Sequence, residues 1–436
     1  MLSPSSDAAR PDRDARPPVG VLERTAGRSL FACSFRPLFF AAALQAAFGI
    51  AAWMAVLGLG LASPAVPGGP LVWHAHEMLF GFGLAAVAGF VLTAAPEFTG
   101  TPAFGSRVAV TATFTWLAAR IAFWLSGVVG PWPAALFEVA LAALLVALVG
   151  PRLRREPDRR HLGFLWGLLA MAAATAGFHA EGLLGGDPMR WVHVGIGAMM
   201  ALIVVAMSRV SMRIVNDALD AARVAGDEDA PEYRARPPRR NLAVFAISLF
   251  TAAEFAAPGT AFTGWLALAA AAAVLNLLND WHVGRPLLTR LPAILYAVYW
   301  LMALGYAAIG VALLGGDLPL SAGRHLLTTG AMGLSVFAVL CIAGRIHSGY
   351  PLDARRWVPI GAALLVAGAL ARAAAGLPGA PAWALIAGAS LCWIAAYGLV
   401  LRYLAPIWWT VRPDGGHGCE ERIEASPSPV QAPLPP

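Results

Sequence analysis

At 436 residues, with 58% apolar side chains and only 13% charged ones, the chain has a mean hydropathy of +0.66, which excludes a water-soluble globular protein of this size. Its formal charge of +6 comes from arginines set between apolar runs, so nucleic acid is excluded as a partner and the lipid bilayer takes its place. A span needs roughly 20 apolar residues and cannot show unpaired backbone to lipid, so each long uncharged run is predicted to be a helix.

In chain order, residues 1–30 are rich in Pro, Asp and Arg and read as a disordered cytoplasmic segment. They hold no apolar core of a cleavable signal peptide, which leaves the first span as the anchor. Spans are predicted at about 38–62, 71–96, 107–127, 131–150, 161–179, 190–211, 241–257, 260–280, 292–315, 324–344, 357–376 and 381–405. The shortest, 241–257, contains Glu254 and also fits a re-entrant or tilted element. A Pro-rich tail, 412–436, again reads as disordered, so the transmembrane domain is 31–411 with a basic cytoplasmic loop at about 212–240.

The arginines give the orientation. Arg10 to Arg36, the group Arg152, Arg154, Arg155, Arg159 and Arg160, and the stretch Arg213 to Arg240 all fall on one side, while the alternate loops carry almost no charge. The positive-inside rule makes that side, and both termini, cytoplasmic. Two helix starts on this face read alike, Arg159-Arg160-His161-Leu162 and Arg239-Arg240-Asn241-Leu242, a likeness that basic interfacial anchors produce.

Ionisable groups in a membrane are expensive, so their placement is informative. Of nine histidines, His74, His76, His179, His193 and His325 fall at non-cytoplasmic span ends, whereas His161, His282 and His347 fall at cytoplasmic ends. Spans two, six and ten each begin with His followed by glycines: His76 with Gly81 and Gly83, His193 with Gly195 and Gly197, His325 with Gly330 and Gly333. Those glycines suit either close helix packing or a flat macrocycle against the span. His74 and His76 lie about 200° apart on a helix, so they serve two neighbouring sites or an irregular start, or are simply interfacial beside Trp73. Met78, Met189, Met199 and Met200 lie near these histidines and offer thioether sulfur, which suits Cu(I). Arg36, Glu77, Glu97, Arg120, Glu138, Arg209 and Glu254 are charges at or inside the apolar phase, and some must pair. Arg120 is placed to answer a haem propionate or a carboxylate such as Glu138, and Glu77 to orient the imidazole of His76 or cap the helix start. The cysteines, Cys33, Cys341, Cys392 and Cys419, form neither a C-x-x-C pair nor the C-x-x-C-H of covalent haem attachment.

The string Trp73-His74-Ala75-His76-Glu77-Met78-Leu79-Phe80-Gly81-Phe82, followed by Gly89-Phe90-Val91-Leu92-Thr93-Ala94 and Thr99-Gly100, resembles the NnrS family of bacterial membrane proteins. Phe35-Arg36-Pro37, Phe178-His179, Leu304-Gly305-Tyr306 and His325 with Leu327-Thr328 and Gly330-Ala331 match as well. That resemblance implies a twelve-span protein of the bacterial inner membrane that binds haem and copper and acts in nitric oxide and denitrification physiology against nitrosative stress. It carries His74, His76, His179 and His325 over as candidate ligands of haem or copper, with His347 weaker; the placement of the residues adds His193 as a weaker metal ligand and Arg36 and Arg209 as propionate or structural partners. The chain departs from the family at Ser208-Arg209-Val210-Ser211-Met212, where only Arg and Val match, at Ala303, where the family carries His, and at Glu97-Phe98. A divergent branch is the result.

The leading expectation is therefore an all-α polytopic bundle that holds non-covalent, b-type haem and copper near its outer face and meets nitric oxide there, with a respiratory or denitrification partner unidentified. Whether it turns the ligand over is left open, since no proton relay or electron entry point stands out in the sequence. The alternative is a transporter or assembly factor for copper, haem or another small ligand, built from two six-span halves.

Overall fold

The computed structural model describes residues 29–224, 232–416 and 418–419. These residues form no strand and are dominated by twelve long helices. They are α1 (Phe35–Leu59), α2 (Gly69–Thr99), α3 (Ser106–Trp124), α4 (Trp132–Arg155), α5 (Leu162–Leu184), α6 (Met189–Val224), α7 (Pro237–Ala256), α8 (Ala261–Leu277), α9 (Arg290–Leu313), α10 (Leu320–Ile346), α11 (Trp357–Ala374) and α12 (Ala382–Trp408). Ten of the twelve are long and apolar enough to cross a bilayer. The other two, α3 and α7, are diluted by polar residues: Arg107 and Arg120 in α3, Arg239, Arg240 and Glu254 in α7. The chain is an all-α polytopic membrane protein. The segment around Glu254 is a continuous helix of 20 residues rather than a re-entrant loop.

Most sequential neighbours pack side by side, α3 packs on α1 and α4, and α12 returns to pack along α1, closing a ring. Three helices stand apart by burial. The most apolar stretches of α2, α6 and α10 are 89%, 78% and 83% buried, against 28–61% in the other seven candidate spans. They occupy the middle of the bundle, four helices apart in the chain, and they are the three whose starts pair a histidine with glycines. Packing explains those glycines. A Cβ on Gly83 would come within 2.8 Å of Met199, one on Gly195 within 2.6 Å of Leu79, and one on Gly333 would overlap the Trp393 ring. Small residues let the central helices approach where a larger side chain would push them apart.

The central helices also carry the backbone irregularities. Glu77–Gly83 of α2 and Leu326–Met332 of α10 are π-helical, and each begins one residue after a histidine, His76 and His325. Such widened turns are rare and recur at functional sites.

Two expectations about chain ends change. The basic loop expected at about 212–240 is shorter, because α6 continues as helix to Val224 and Leu219 and Val215 are buried on its inner face. The tail expected to be disordered from 412 starts as packed chain: buried Arg412 donates to the His347 carbonyl at 3.2 Å and to Asp414, and Cys419 is disulfide-bonded to Cys33 at the foot of α1. That bond joins cysteines far apart in sequence and places both ends of the bundle on its arginine-rich face. The expected disorder of residues 1–28 and of 420–436 lies outside the described residues.

Candidate functional site

Helix α2 carries His74 and His76, and it sends them into different surroundings. Two residues of helix turn a side chain through about 200°. His76 therefore faces α3, α4 and α5, while His74 faces α1, α6, α10 and α11.

The first surrounding is closed and ionic. His76 is 0% exposed, and its Nε2 lies 2.9 Å from Glu138 Oε2 on α4. His179, near the end of α5, brings its own Nε2 to 2.6 Å from the same oxygen. The Nδ1 of His76 lies 3.3 Å from Glu77 Oε1. Arg120 of α3 binds both carboxylates, donating to Glu77 Oε1 at 2.5 Å and pairing through its other terminal nitrogen with Glu138. Gln45 of α1 and Trp124 of α3 donate to the remaining Glu77 oxygen at 2.7 and 3.0 Å. Phe123 stacks on the His76 ring at 3.6 Å, and Phe178 covers it at 4.6 Å. Charges this deep survive only when paired and hydrogen-bonded, and here every one is. Two carboxylates against one guanidinium still leave one negative charge, which a proton on an imidazole or a bound cation offsets. His76, Glu138 and His179 each offer a ligand atom, and these atoms lie within 4.8 Å of one another. Two imidazoles and a carboxylate suit Zn, Cu or non-haem Fe, so the donor chemistry fits a single metal ion.

The second surrounding is open and apolar. A cavity of about 330 Å³ is lined by His74, His193 and His325, by the thioethers of Met78, Met189 and Met332, and by Arg324 and Arg372. That volume lies at the lower end of the roughly 300–1,000 Å³ of ligand pockets, and a mostly apolar wall with a few converging polar groups is the usual composition. Trp53 lies flat on His74, with ring centres 4.5 Å apart, and Trp393 closes another side. His325 Nδ1 is 2.7 Å from the Ser321 carbonyl, so that nitrogen carries the hydrogen and Nε2 keeps its lone pair. This is the arrangement that orients a metal-binding imidazole. Among the described residues His74 and His193 make no hydrogen bond or ion pair. Arg324 is held by Glu254 of α7 at 2.6 Å, whereas among the described residues Arg372 of α11 meets no carboxylate. Imidazoles, flat aromatic walls and an uncompensated guanidinium fit a planar group that carries an anionic edge, as haem does.

The five histidines expected at the outer face thus divide into a pair and a trio. The pairing of Arg120 with Glu138, and of Glu77 with His76, follows the sequence reading. Other expected site residues lie at the opposite, arginine-rich face. Arg36 is buried and donates to the carbonyls of Ser29, Trp408 and Thr410, which makes it a structural cap. Arg209 is sixteen residues beyond His193 on α6, about 24 Å along the helix. His347 sits 3.8 Å from Glu97, with its Nδ1 3.0 Å from the Cys419 carbonyl. None of these three reaches either histidine group. The reading from sequence overlooks Arg324, Arg372, Trp53 and Gln45. Arg372 carried the clearest signal, as the lone charge within an apolar run.

Fold and sites together define a polytopic, all-helical membrane protein that buries a histidine–carboxylate cluster beside a histidine-lined cavity. The chain belongs to the NnrS family, whose model, described as NnrS protein, matches residues 29–412. No curated protein matches it.

Proposed function

We propose that this protein holds a haem in the cavity of His74, His193 and His325 and a copper ion at His76, Glu138 and His179, and that it binds nitric oxide at the non-cytoplasmic edge of a bacterial inner membrane, in the nitrosative-stress response tied to denitrification. The carrying observation is the division of five histidines between two adjacent sites of different size and polarity. Haem iron with an open position supplies capture of a small diatomic ligand, and copper adds a redox-active centre beside it. The protein's own residues do the rest. The imidazoles of His74, His193 and His325 would offer nitrogen lone pairs to a haem in the cavity, Arg372 would answer a propionate, and Trp53 and Trp393 would supply aromatic wall. Ile50, Leu79, Val192 and Ile196 line the remaining wall and make it apolar. Glu77 and Arg120 hold Glu138 and His76 in position at the smaller site. Attachment is non-covalent, since the sequence holds no C-x-x-C-H and no cysteine lines the cavity.

Purification in mild detergent with haem and copper supplied tests this directly. Optical spectra, oxidised and then reduced with and without nitric oxide, are read beside elemental iron and copper. The expected result is a Soret band that shifts with nitric oxide, lost in His325→Ala with copper retained, while His179→Ala loses copper and keeps haem. Well-folded protein with neither iron nor copper would overturn the proposal. Metal that washes away readily and crosses vesicles would favour a carrier instead.

A further inference from the structure

A second, unrelated cavity opens at the arginine-rich face. It measures about 340 Å³ and is lined by Arg160, Ser208, Arg209, Met212, Ala235, Pro237 and Arg240. Three guanidinium groups converge on it from three helices: Arg160 just before α5, Arg209 on α6, and Arg240 in the first turn of α7. The two look-alike helix starts, Arg159-Arg160-His161-Leu162 and Arg239-Arg240-Asn241-Leu242, therefore flank one space rather than acting as separate anchors.

Among the described residues no carboxylate lines this space. Arg209 feels the negative charge of Glu156 as well as the positive charges of Arg160 and Arg240, and among the described residues its Nε is buried without a hydrogen-bond partner. Among the described residues its one hydrogen bond is long, 3.4 Å, to the Arg160 carbonyl. Two acidic groups stand nearby. Glu156 accepts from the His161 backbone at 3.1 Å and faces its ring nitrogen at 2.7 Å, and Asp158 meets Arg160 in an exposed pair. Arg240 is satisfied only by the neutral amide oxygen of Asn241. Three guanidinium groups with only Glu156 and Asp158 near them leave a net positive space among the described residues, and the uncapped start of α7 at Pro237 adds its own positive end. The site is built for an anion.

Guanidinium groups match phosphate oxygens in paired geometry, and basic pockets between helices on the cytoplasmic side take the headgroups of acidic lipids. The surroundings favour lipid as the source of the phosphate. Immediately membrane-ward, Trp166 of α5 and Leu242 and Phe245 of α7 expose 66%, 47% and 64% of their surface. These apolar side chains flank α6 where acyl chains would lie beneath a headgroup held by the three arginines. We propose that this cavity binds the phosphate group of an anionic phospholipid.

The test measures lipid retained by detergent-purified full-length protein, by native mass spectrometry, and thermal stabilisation on adding phosphatidylglycerol, phosphatidylcholine or inorganic phosphate. Wild type should retain phosphatidylglycerol and gain stability from it, but not from phosphatidylcholine. Each single change, Arg160→Gln, Arg209→Gln or Arg240→Gln, should weaken retention about fivefold, and the triple change should abolish it. Arg107→Gln, on the same face but outside the cavity, should leave retention unchanged. Arg160 is exposed, so its single variant folds and keeps the test decisive if the triple variant does not. Equal lipid retention by wild type and the Arg160→Gln and Arg240→Gln variants would overturn the proposal. So would stabilisation by inorganic phosphate with none from phosphatidylglycerol, which would assign the site to a soluble anion.

Discussion

The two histidine groups sit either side of one helix, and they differ in almost every physical respect. At His76, Glu138 and His179 ion pairs and hydrogen bonds join every charged group to a partner, and aromatic rings seal the site. At His74, His193 and His325 two imidazoles without a hydrogen bond among the described residues and the Arg372 guanidinium face an apolar cavity. A satisfied network rigidifies its surroundings and becomes costly to disturb, whereas an unsatisfied one contributes little to stability and much to binding. The smaller group should thus behave as part of the fold and the larger as a receptor.

The sharpest way to break this distinction is Glu138→Ala. Removing the carboxylate breaks the buried pair with Arg120, which keeps only Glu77, and takes the shared acceptor from two imidazoles, a loss of about 3–5 kcal/mol, to be read as a large fall in thermal midpoint even without metal. A midpoint close to wild type would show that the cluster is not structural. Next in size is Arg372→Gln in the cavity. It should weaken retention of an anionic cofactor by about 1.5–3 kcal/mol, the range of a charged hydrogen bond, measured as haem lost on dilution, with apo-protein stability unchanged. Smaller again, His193→Ala should move the stability of the apo-protein by under about 1 kcal/mol, because no cap, core contact or ion pair is lost. A drop as large as that of Glu138→Ala would erase the difference between the sites.

The smallest effect belongs to a control outside both. Asp353, in the loop between α10 and α11, accepts from Arg355, Arg345 and Trp357. The Arg355 guanidinium holds its carboxyl well below the usual carboxylate range. A depressed folded-state value makes the contribution complete above the unfolded value of about 3.9 and lost as pH falls below it. Acid titration of the apo-protein should therefore show a decline starting near pH 4 that Asp353→Asn removes. An unchanged profile in that variant would assign the decline elsewhere.

How much of this was written in the sequence differs between fold and site. Apolar runs about twenty residues long and arginines on alternate loops gave the helices nearly in place, because lipid leaves the backbone few alternatives. The separation of His74 from His76 was readable from helical geometry alone. The meeting of Glu138 with both His76 and His179 was not, since it depends on how three helices pack and rotate. Nor was the convergence of Arg160 with Arg240, which looked like two independent anchors until α6 was seen between them. The disulfide of Cys33 with Cys419 was hidden for the same reason, since the return of α12 to α1 closes the ring only in three dimensions.

The widened turn after His76 adds a final consequence. A π-turn is in effect one extra residue slipped into an α-helix, and one residue corresponds to about 100° of rotation. Everything on α2 before Glu77 is thus dialled by that amount relative to everything after Gly83, and the same holds on α10 either side of Leu326–Met332. Shortening either segment by a single residue would leave length, composition and hydropathy almost untouched. It would nevertheless swing the histidines away from their partners, so that the identity of both sites is stored in the phase of two helices as much as in the letters they carry.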